Sequence, residues 1–359
     1  MKRLTQKQRR HLAARSRYQL KRRSIQYLER KRHRLENFIN GRQAAVQEAD
    51  RKNSAPYVEH IPPANFSLIT NPHEVLAYFN RGEELFRKKN RVTFDISQVT
   101  ALTPDTIALL VASIHTQEYT HGYGYRGNEP VNPPLARLFQ ESGFYRFVRT
   151  HHRLSDSDST MLHKEREHRV DPDIAQRASL IGVQNSFGNS DPFEPLYEIL
   201  IECMSNANNH ANPKEQGGCY WWLFVYSNPD THITCYSFVD LGVGIFGSMR
   251  VRGILQRIAQ ATGLSRDISF ADDLLEGKLH SRMEEDSAIR GKGIPQIVNA
   301  ASLPEFRRFH LITNDVFFDL KNGRAEELGS PMAGTMLYWE LQPVNNTEHG
   351  NEGDHHDSN

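Results

Sequence analysis

The spacing of apolar residues along residues 64–150 alternates between short strand-like runs and longer helical stretches. This pattern predicts strands at Phe66–Thr70, Arg91–Ile96 and Gly122–Arg126, and helices at Asn71–Lys89, Pro104–Thr116 and Pro134–Val148. Pro72 supports the first of these helices, because proline is well tolerated in a first helical turn. Strands that are separated by helices pair mainly in parallel, so we predict a small α/β domain here.

The pattern from residue 186 to residue 343 predicts a second, larger domain. A helix over residues 194–212 is followed by an aromatic and β-branched hairpin with strands at Cys219–Tyr226 and His232–Val239. The further predicted elements are helices at Met249–Thr262, Phe270–Leu279 and Ile294–Ala301, and strands at Arg308–Thr313, Asp315–Leu320 and Met336–Leu341. Helices and strands that are mixed in this way indicate an α/β (α+β) fold class.

Charge is divided unevenly along the chain. Residues 1–34 hold 14 Lys and Arg residues and one acid, a net charge of +13, whereas the rest holds 30 bases and 42 acids, a net charge of −12. Charge and composition together predict five parts. They are a basic, helix-compatible arm (residues 1–55), an α/β domain (56–150), a polar linker with room for a short helix (151–185), a second domain (186–343) and a disordered tail (344–359). The arm is compatible with nucleic-acid binding through residues 1–34, because clustered cations release counterions from phosphates.

Composition also excludes several classes of protein. No apolar run is long enough to span a bilayer, which argues against a membrane partner. The three cysteines lack the spacing of a zinc site or a disulfide framework, so we expect a cytoplasmic protein with reduced thiols.

Three polar residues share one face of the helix predicted at residues 194–212. Glu202, Asn206 and His210 follow one another at intervals of four, within about 80° on a helical wheel, and the opposite face is apolar. The amide oxygen of Asn206 can ligate Mg²⁺ without adding negative charge beside phosphates. Glu202, one turn away, can act as a general base, and His210 can donate a hydrogen bond to a phosphate oxygen.

Glycine-rich motifs follow at the ends of predicted strands and at the start of a predicted helix. The second motif is Asp240-Leu-Gly242-Val-Gly244, the third is Arg290-Gly291-Lys292-Gly293, and the fourth is Gly334-Thr335. A carboxylate at a strand end can accept a hydrogen bond from the amine of adenine, and the neighbouring glycines let the backbone approach the base. The third motif offers an anion backbone amides, a helix N-terminus and the charge of Lys292.

The order of the four motifs resembles that of the GHKL superfamily, the ATP-binding domains of gyrase, histidine-kinase and anti-sigma-kinase type. The resemblance covers residues 186–343 and implies an α/β sandwich that binds ATP and Mg²⁺. It implies that Glu202 is catalytic, that Asn206 ligates Mg²⁺, that Asp240 accepts the adenine amine, and that His210 and the other motif residues hold the nucleotide. The predicted lid at residues 245–289 is longer than in anti-sigma kinases, and Ile294 stands where the family commonly has leucine.

The segment from Val92 to Leu110 resembles the STAS domain of anti-anti-sigma factors. That family carries a phosphorylatable serine where this chain has Asp105, an acid that suits a helix N-terminus and could mimic phosphoserine. The resemblance implies a protein partner for this STAS-like domain, as in partner-switching regulators. A homodimer is a further expectation from the GHKL resemblance.

Three functions stay open. The chain is an ATPase or protein serine/threonine kinase of partner-switching type, a nucleic-acid-associated ATPase that uses residues 1–34, or a switch that binds ATP without hydrolysing it. No His-Glu/Asp-Leu-Arg-x-Pro run is present, which argues against a sensor histidine kinase.

Overall fold

The computed structural model of the chain describes residues 31, 41, 43–150, 160–165, 170–210, 220–251, 253, 266–278 and 293–343. Two compact units are present, one ending at Pro56 and one beginning at Tyr57. In the first unit, residues 43–54 form a helix, α1, whose side chains are mostly exposed. The predicted nucleic-acid-binding residues 1–34, apart from Lys31, and the predicted tail 344–359 lie outside the described residues.

The first part of the second unit is a small α/β arrangement with parallel strands. Its elements are β1 (Tyr57–His60), β2 (Asn65–Phe66), α2 (Pro72–Arg87), β3 (Arg91–Phe94), β4 (Ala101–Leu102), α3 (Pro104–Ile114), α4 (Gln117–Thr120), β5 (Tyr125–Gly127), α5 (Pro133–Glu141) and a 3₁₀ turn (Phe144–Arg146). Strands β1, β3 and β5 form one parallel sheet, and β2 pairs with β4 in parallel. The predicted parallel pairing is confirmed.

The strand predicted at Phe66–Thr70 is only two residues long. The chain turns after Phe66, because the amide of Asn71 donates to the carbonyl of Ser67 at 2.9 Å and starts the turn into α2. Asp105 holds this turn from the start of α3: its Oδ2 atom accepts from the amide of Leu68 at 2.8 Å. Asp105 is fully buried, so its carboxylate stabilises the packing of this turn and is not displayed at the surface as a phosphoserine mimic would be.

The rest of the second unit is built on an antiparallel sheet. Its elements are β6 (Thr160–Glu165), α6 (Pro172–Phe187), α7 (Glu194–His210), β7 (Trp221–Asn228), β8 (Ile233–Asp240), α8 (Ile245–Val251), a 3₁₀ turn (Asp267–Phe270), α9 (Ala271–Leu275), α10 (Gly293–Ala301), β9 (Phe306–Asp319) and β10 (Arg324–Leu341). The strand order within the described residues is β6-β7-β8-β10-β9, and all neighbours are antiparallel. The presence of helices together with parallel and antiparallel sheets confirms the α/β class.

Two elements lie where the polar composition predicted a linker. β6 and α6 both fall within residues 151–185 or just beyond, and both belong to the folded unit. The sequence allowed only a short helix in this linker, whereas α6 has 16 residues. Its buried face consists mostly of small residues, including Ala178 and Gly182, which give only a weak apolar period. Small residues are needed there, since the Tyr236 hydroxyl donates to the carbonyl of Ala178 at 3.0 Å and a Cβ atom on Gly182 would overlap that hydroxyl.

Both faces of the antiparallel sheet are covered. On one face, α6 packs against β7 and β8, and it shares a single hydrophobic core with α7 and α10. On the other face, α3 packs against β7 and β8, and α2 packs against β10. All eleven residues of α3 are buried, which explains why this helix is apolar on every side. The parallel-stranded part of the second unit is therefore in direct contact with the antiparallel sheet.

Candidate functional site

The first predicted motif lies on α7, with its polar face turned away from the core. Leu196, Leu200, Met204 and Ala207 on the opposite face are at most 2% exposed, as the helical period predicted. A Cβ atom placed on Gly293 would lie 2.6 Å from Oε2 of Glu202 and 3.3 Å from Nδ2 of Asn206. The start of α10 therefore lies against both polar side chains, and a Cβ atom at Gly293 would displace the end of the Glu202 side chain.

Glu202 is held in a partly desolvated position. Burial, and secondly the negative charge of Glu198 one turn away, raises the pKa of Glu202 above its usual range. A carboxylate whose pKa moves towards neutrality is better suited to exchange a proton near pH 7 than a fully hydrated one. Asn206 beside it offers an amide oxygen, and a hard cation with one such ligand takes its other ligands from water and phosphate.

The second and fourth motifs meet at the end of β8. Asp240 is the last residue of β8 and stands opposite Thr335 of β10 in the register of the sheet. Its Oδ1 atom accepts from the amide of Gly242 at 3.0 Å, and the Thr335 side chain also donates to it. Burial raises the pKa of Asp240 to about 7, although both hydrogen bonds lower it.

Gly334 lies directly over the backbone of Asp240. Its φ of +91° is in the region that favours glycine, and a Cβ atom there would overlap the carbonyl oxygen of Asp240. The glycine therefore allows the two strands to approach at the point where the fourth motif meets the second.

The backbone after Asp240 is held by hydrogen bonds from a residue outside the four motifs, Asn314. Gly244 has a φ of +73°, and a Cβ atom on it would lie 2.5 Å from Oδ1 of Asn314 on β9. Asn314 and its neighbour Thr313 hydrogen-bond to residues 243–247. The sequence signal for Asn314 is a polar Thr-Asn pair inside an apolar stretch. Such a pair predicts a break between two strands, Arg308–Thr313 and Asp315–Leu320. In fact β9 continues through the pair.

Some predicted site residues cannot be placed. His210 ends α7, but its side chain lies outside the described residues, as do Arg290, Gly291 and Lys292 and most of the predicted lid. Their contacts with a nucleotide stay predictions. Where the structure is described, no group of three or more His, Cys, Asp or Glu side chains converges as a metal site.

No protein-family model matches this chain, and no curated protein matches it significantly. Within the described ranges, no helix is both long enough and apolar enough to cross a lipid bilayer.

Proposed function

We propose that this protein is a GHKL-type, Mg·ATP-binding regulatory protein. The observation that carries the proposal is the convergence of motifs that are far apart in the chain. Glu202 and Asn206 meet Gly293, and Asp240 meets Gly334 and Thr335. Burial first, and then the charges of Glu202 and Asp240, raise the pKa of the Cys203 thiol on α7. Cys203 therefore lies within electrostatic range of both carboxylates, which supports the assignment of the two groups of motifs to one site.

The residues present fit the two ends of ATP. The Asp240 carboxylate has a second oxygen besides the one that Gly242 occupies, and it can accept the adenine amine. Gly242 and Gly244 keep the adjacent backbone free of side chains, while Asn206 can ligate Mg²⁺ beside the opening of α10. When bound, Mg·ATP supplies a transferable γ-phosphoryl group whose charge the metal ion offsets.

Glu202 is the proposed general base. Its partial burial and raised pKa suit removal of a proton from an attacking oxygen. A water molecule in that position gives an ATPase, whereas the hydroxyl of a serine or threonine gives a protein kinase. A switch would bind ATP without hydrolysing it. The presence of Glu202 argues for turnover instead.

A regulatory role is supported by the contact between the STAS-like segment and the sheet. Nδ2 of Asn80 on α2 donates to the carbonyl of Pro331 at 3.0 Å, in the segment that leads to Gly334. The STAS-like segment therefore contacts the same strand that carries the fourth motif. We propose that this segment transmits the binding of a protein partner to the nucleotide site. The proposal places the protein in the cytoplasm, where ATP and reduced thiols such as Cys203 are expected.

The first experiment is a calorimetric titration of Mg·ATP into the wild type and the Asp240→Asn variant, followed by phosphate release from the same samples. Binding by the wild type alone, with turnover, supports an ATPase. Binding without turnover supports a kinase that awaits its protein substrate, or a switch. Equal binding by both proteins, or none by either, would sink the assignment of the site.

The uneven charge favours a second candidate, a nucleic-acid-associated ATPase. Residues 1–34 carry a net charge of +13, and a contact with phosphates would weaken steeply as salt rises. Phosphate release should then increase on addition of duplex DNA or single-stranded RNA at low salt. The increase should disappear when Lys21, Arg22 and Arg23 are replaced by glutamine. No stimulation by either nucleic acid would remove this candidate.

A further inference from the structure

The segment from Leu241 to Gly247 leads from β8 into the first turn of α8 and forms the backbone beside the proposed adenine position. Two consecutive side chains of β9, Thr313 and Asn314, hydrogen-bond to this segment. They approach it from a different strand, about 70 residues further along the chain. Neither residue belongs to the four motifs. Their hydrogen bonds to the segment are made to its backbone groups, so we assign neither of them a direct contact with the base.

Asn314 satisfies three backbone groups of the segment at once. Its Oδ1 atom accepts from the amides of Phe246 at 3.1 Å and Gly247 at 3.3 Å, and its Nδ2 atom donates to the carbonyl of Val243 at 3.0 Å. The backbone of Asn314 has a φ of 53°, a left-handed conformation that asparagine tolerates better than most residues. This conformation costs free energy and persists because the surrounding contacts hold it.

Thr313 connects the same segment to Asp240 through the fourth motif. Its hydroxyl accepts from the amide of Ile245 at 2.9 Å and has one proton to donate, either to the carbonyl of Gly334 at 3.2 Å or to the hydroxyl of Thr335 at 3.3 Å. The Thr335 side chain in turn donates to Asp240. Both acceptors belong to the fourth motif, so Thr313 links the segment to the two residues of that motif that contact Asp240.

We infer that Thr313 and Asn314 are positioning residues that hold the 241–247 backbone and Asp240 in the arrangement that discriminates adenine from other bases. The inference rests on the proposed function, since it concerns the same nucleotide site. The fit between Asn314 and Gly244 supports it: a Cβ atom on Gly244 would collide with the amide of Asn314. The side chain and the glycine therefore define one fixed path for the backbone.

The test compares Mg·ATP with Mg·ITP, because inosine has an oxygen where adenine has the amine. The wild type should prefer ATP. Asn314→Ala should weaken ATP binding about 10-fold, the effect of one or two lost hydrogen bonds, and should bring the ATP-to-ITP ratio close to one. Asn314→Asp keeps an oxygen for the two amides and should recover most of the preference.

Asn228→Ala is the matched control. Asn228 also holds a turn with its side-chain oxygen, which accepts from the amides of Asp230 at 2.9 Å and Thr231 at 3.2 Å. It lies at the opposite end of the β7–β8 hairpin from Asp240. Asn228→Ala should lose comparable stability and keep the wild-type ATP-to-ITP ratio. Because this ratio compares two ligands on one folded variant, a purely structural role of Asn314 would leave it unchanged.

The outcomes separate the inference from the proposed function. If the wild type prefers ATP and Asn314→Ala keeps the wild-type ATP-to-ITP ratio, the positioning role is wrong and the nucleotide site stands. If the wild type binds no nucleotide, the proposed function and the inference both fall. Should Asn314→Ala not fold, Thr313→Val, which removes the link to Gly334, replaces it in the same comparison with Thr313→Ser as its conservative control.

Discussion

Replacement of Asp240 by asparagine should remove Mg·ATP binding and, at the same time, make the nucleotide-free protein more stable above pH 7. The carboxyl group is buried at the end of β8, and burial raises its pKa from 3.8 to about 7. A group that holds its proton more tightly in the folded protein than in the unfolded chain destabilises the fold when it ionises. Asparagine occupies the same volume and carries no charge.

The size of the effect follows from the two pKa values. The interval between 3.8 and about 7 corresponds to about 4 kcal/mol. Between these values the folded protein binds more protons than the unfolded chain, so the free energy of unfolding of the wild type falls as pH rises. The decline ends once Asp240 is ionised in the folded protein, about one pH unit above its pKa. The variant lacks this contribution, and its advantage should therefore grow with pH over this interval.

The assay is urea unfolding of both proteins without nucleotide, at intervals from pH 5 to pH 8.5. The part of the difference in free energy of unfolding that does not change with pH reports the exchange of an oxygen for an amide nitrogen. The part that changes with pH reports the buried charge. Two stability curves that run parallel across this range would refute the reasoning. In the calorimeter, the variant should not bind Mg·ATP, because its single side-chain oxygen is taken by Gly242 and its NH₂ group faces the adenine amine, donor against donor.

Three further predictions test other parts of the site. Glu202→Gln should bind Mg·ATP with an affinity within about twofold of the wild type, because the substitution removes only the base. Its turnover, measured as phosphate release, should fall by about 100-fold or more. An equal loss of binding would contradict the role of Glu202 as the base. Gly334→Ala should lower the free energy of unfolding by about 3 kcal/mol, because the new Cβ atom overlaps the Asp240 carbonyl. Its control, Gly323→Ala, also has a positive φ but open space around it, and should lose only about 1 kcal/mol; equal losses would argue against close contact at Gly334. Asn80→Ala should weaken Mg·ATP binding about 5-fold, because it removes the hydrogen bond to Pro331 that is proposed to couple α2 to the site. The control, Asn90→Ala, removes a hydrogen bond to Leu85 at the end of the same helix and should leave the affinity for Mg·ATP unchanged.

Local patterns were sufficient to predict most elements. The apolar face of α7, the β7–β8 hairpin and the parallel pairing of the first strands all follow from periods that one segment expresses alone. The same patterns indicated no more than a short helix in a linker where α6 forms, because the contact of α6 with Tyr236 demands small residues, which hide the helical period. The patterns failed at Asn314. Its polar side chain predicts a break between two strands, but β9 continues through this residue, which adopts a left-handed backbone conformation.

The sequence by itself determined the residue types of the candidate site and the order in which they occur. Glu202, Asn206 and Asp240 were identified because helical spacing and strand ends are properties of short segments. Only the tertiary structure decided that Gly293 lies against Glu202, that Gly334 lies over Asp240, and that Asn314 fastens the backbone at Gly244. These contacts join residues between 70 and 94 positions apart. The contact of Gly293 depends on the packing of α10 against α7. The other two depend on the register of β8, β9 and β10, which the packing of both faces of the sheet sets and which no local period encodes.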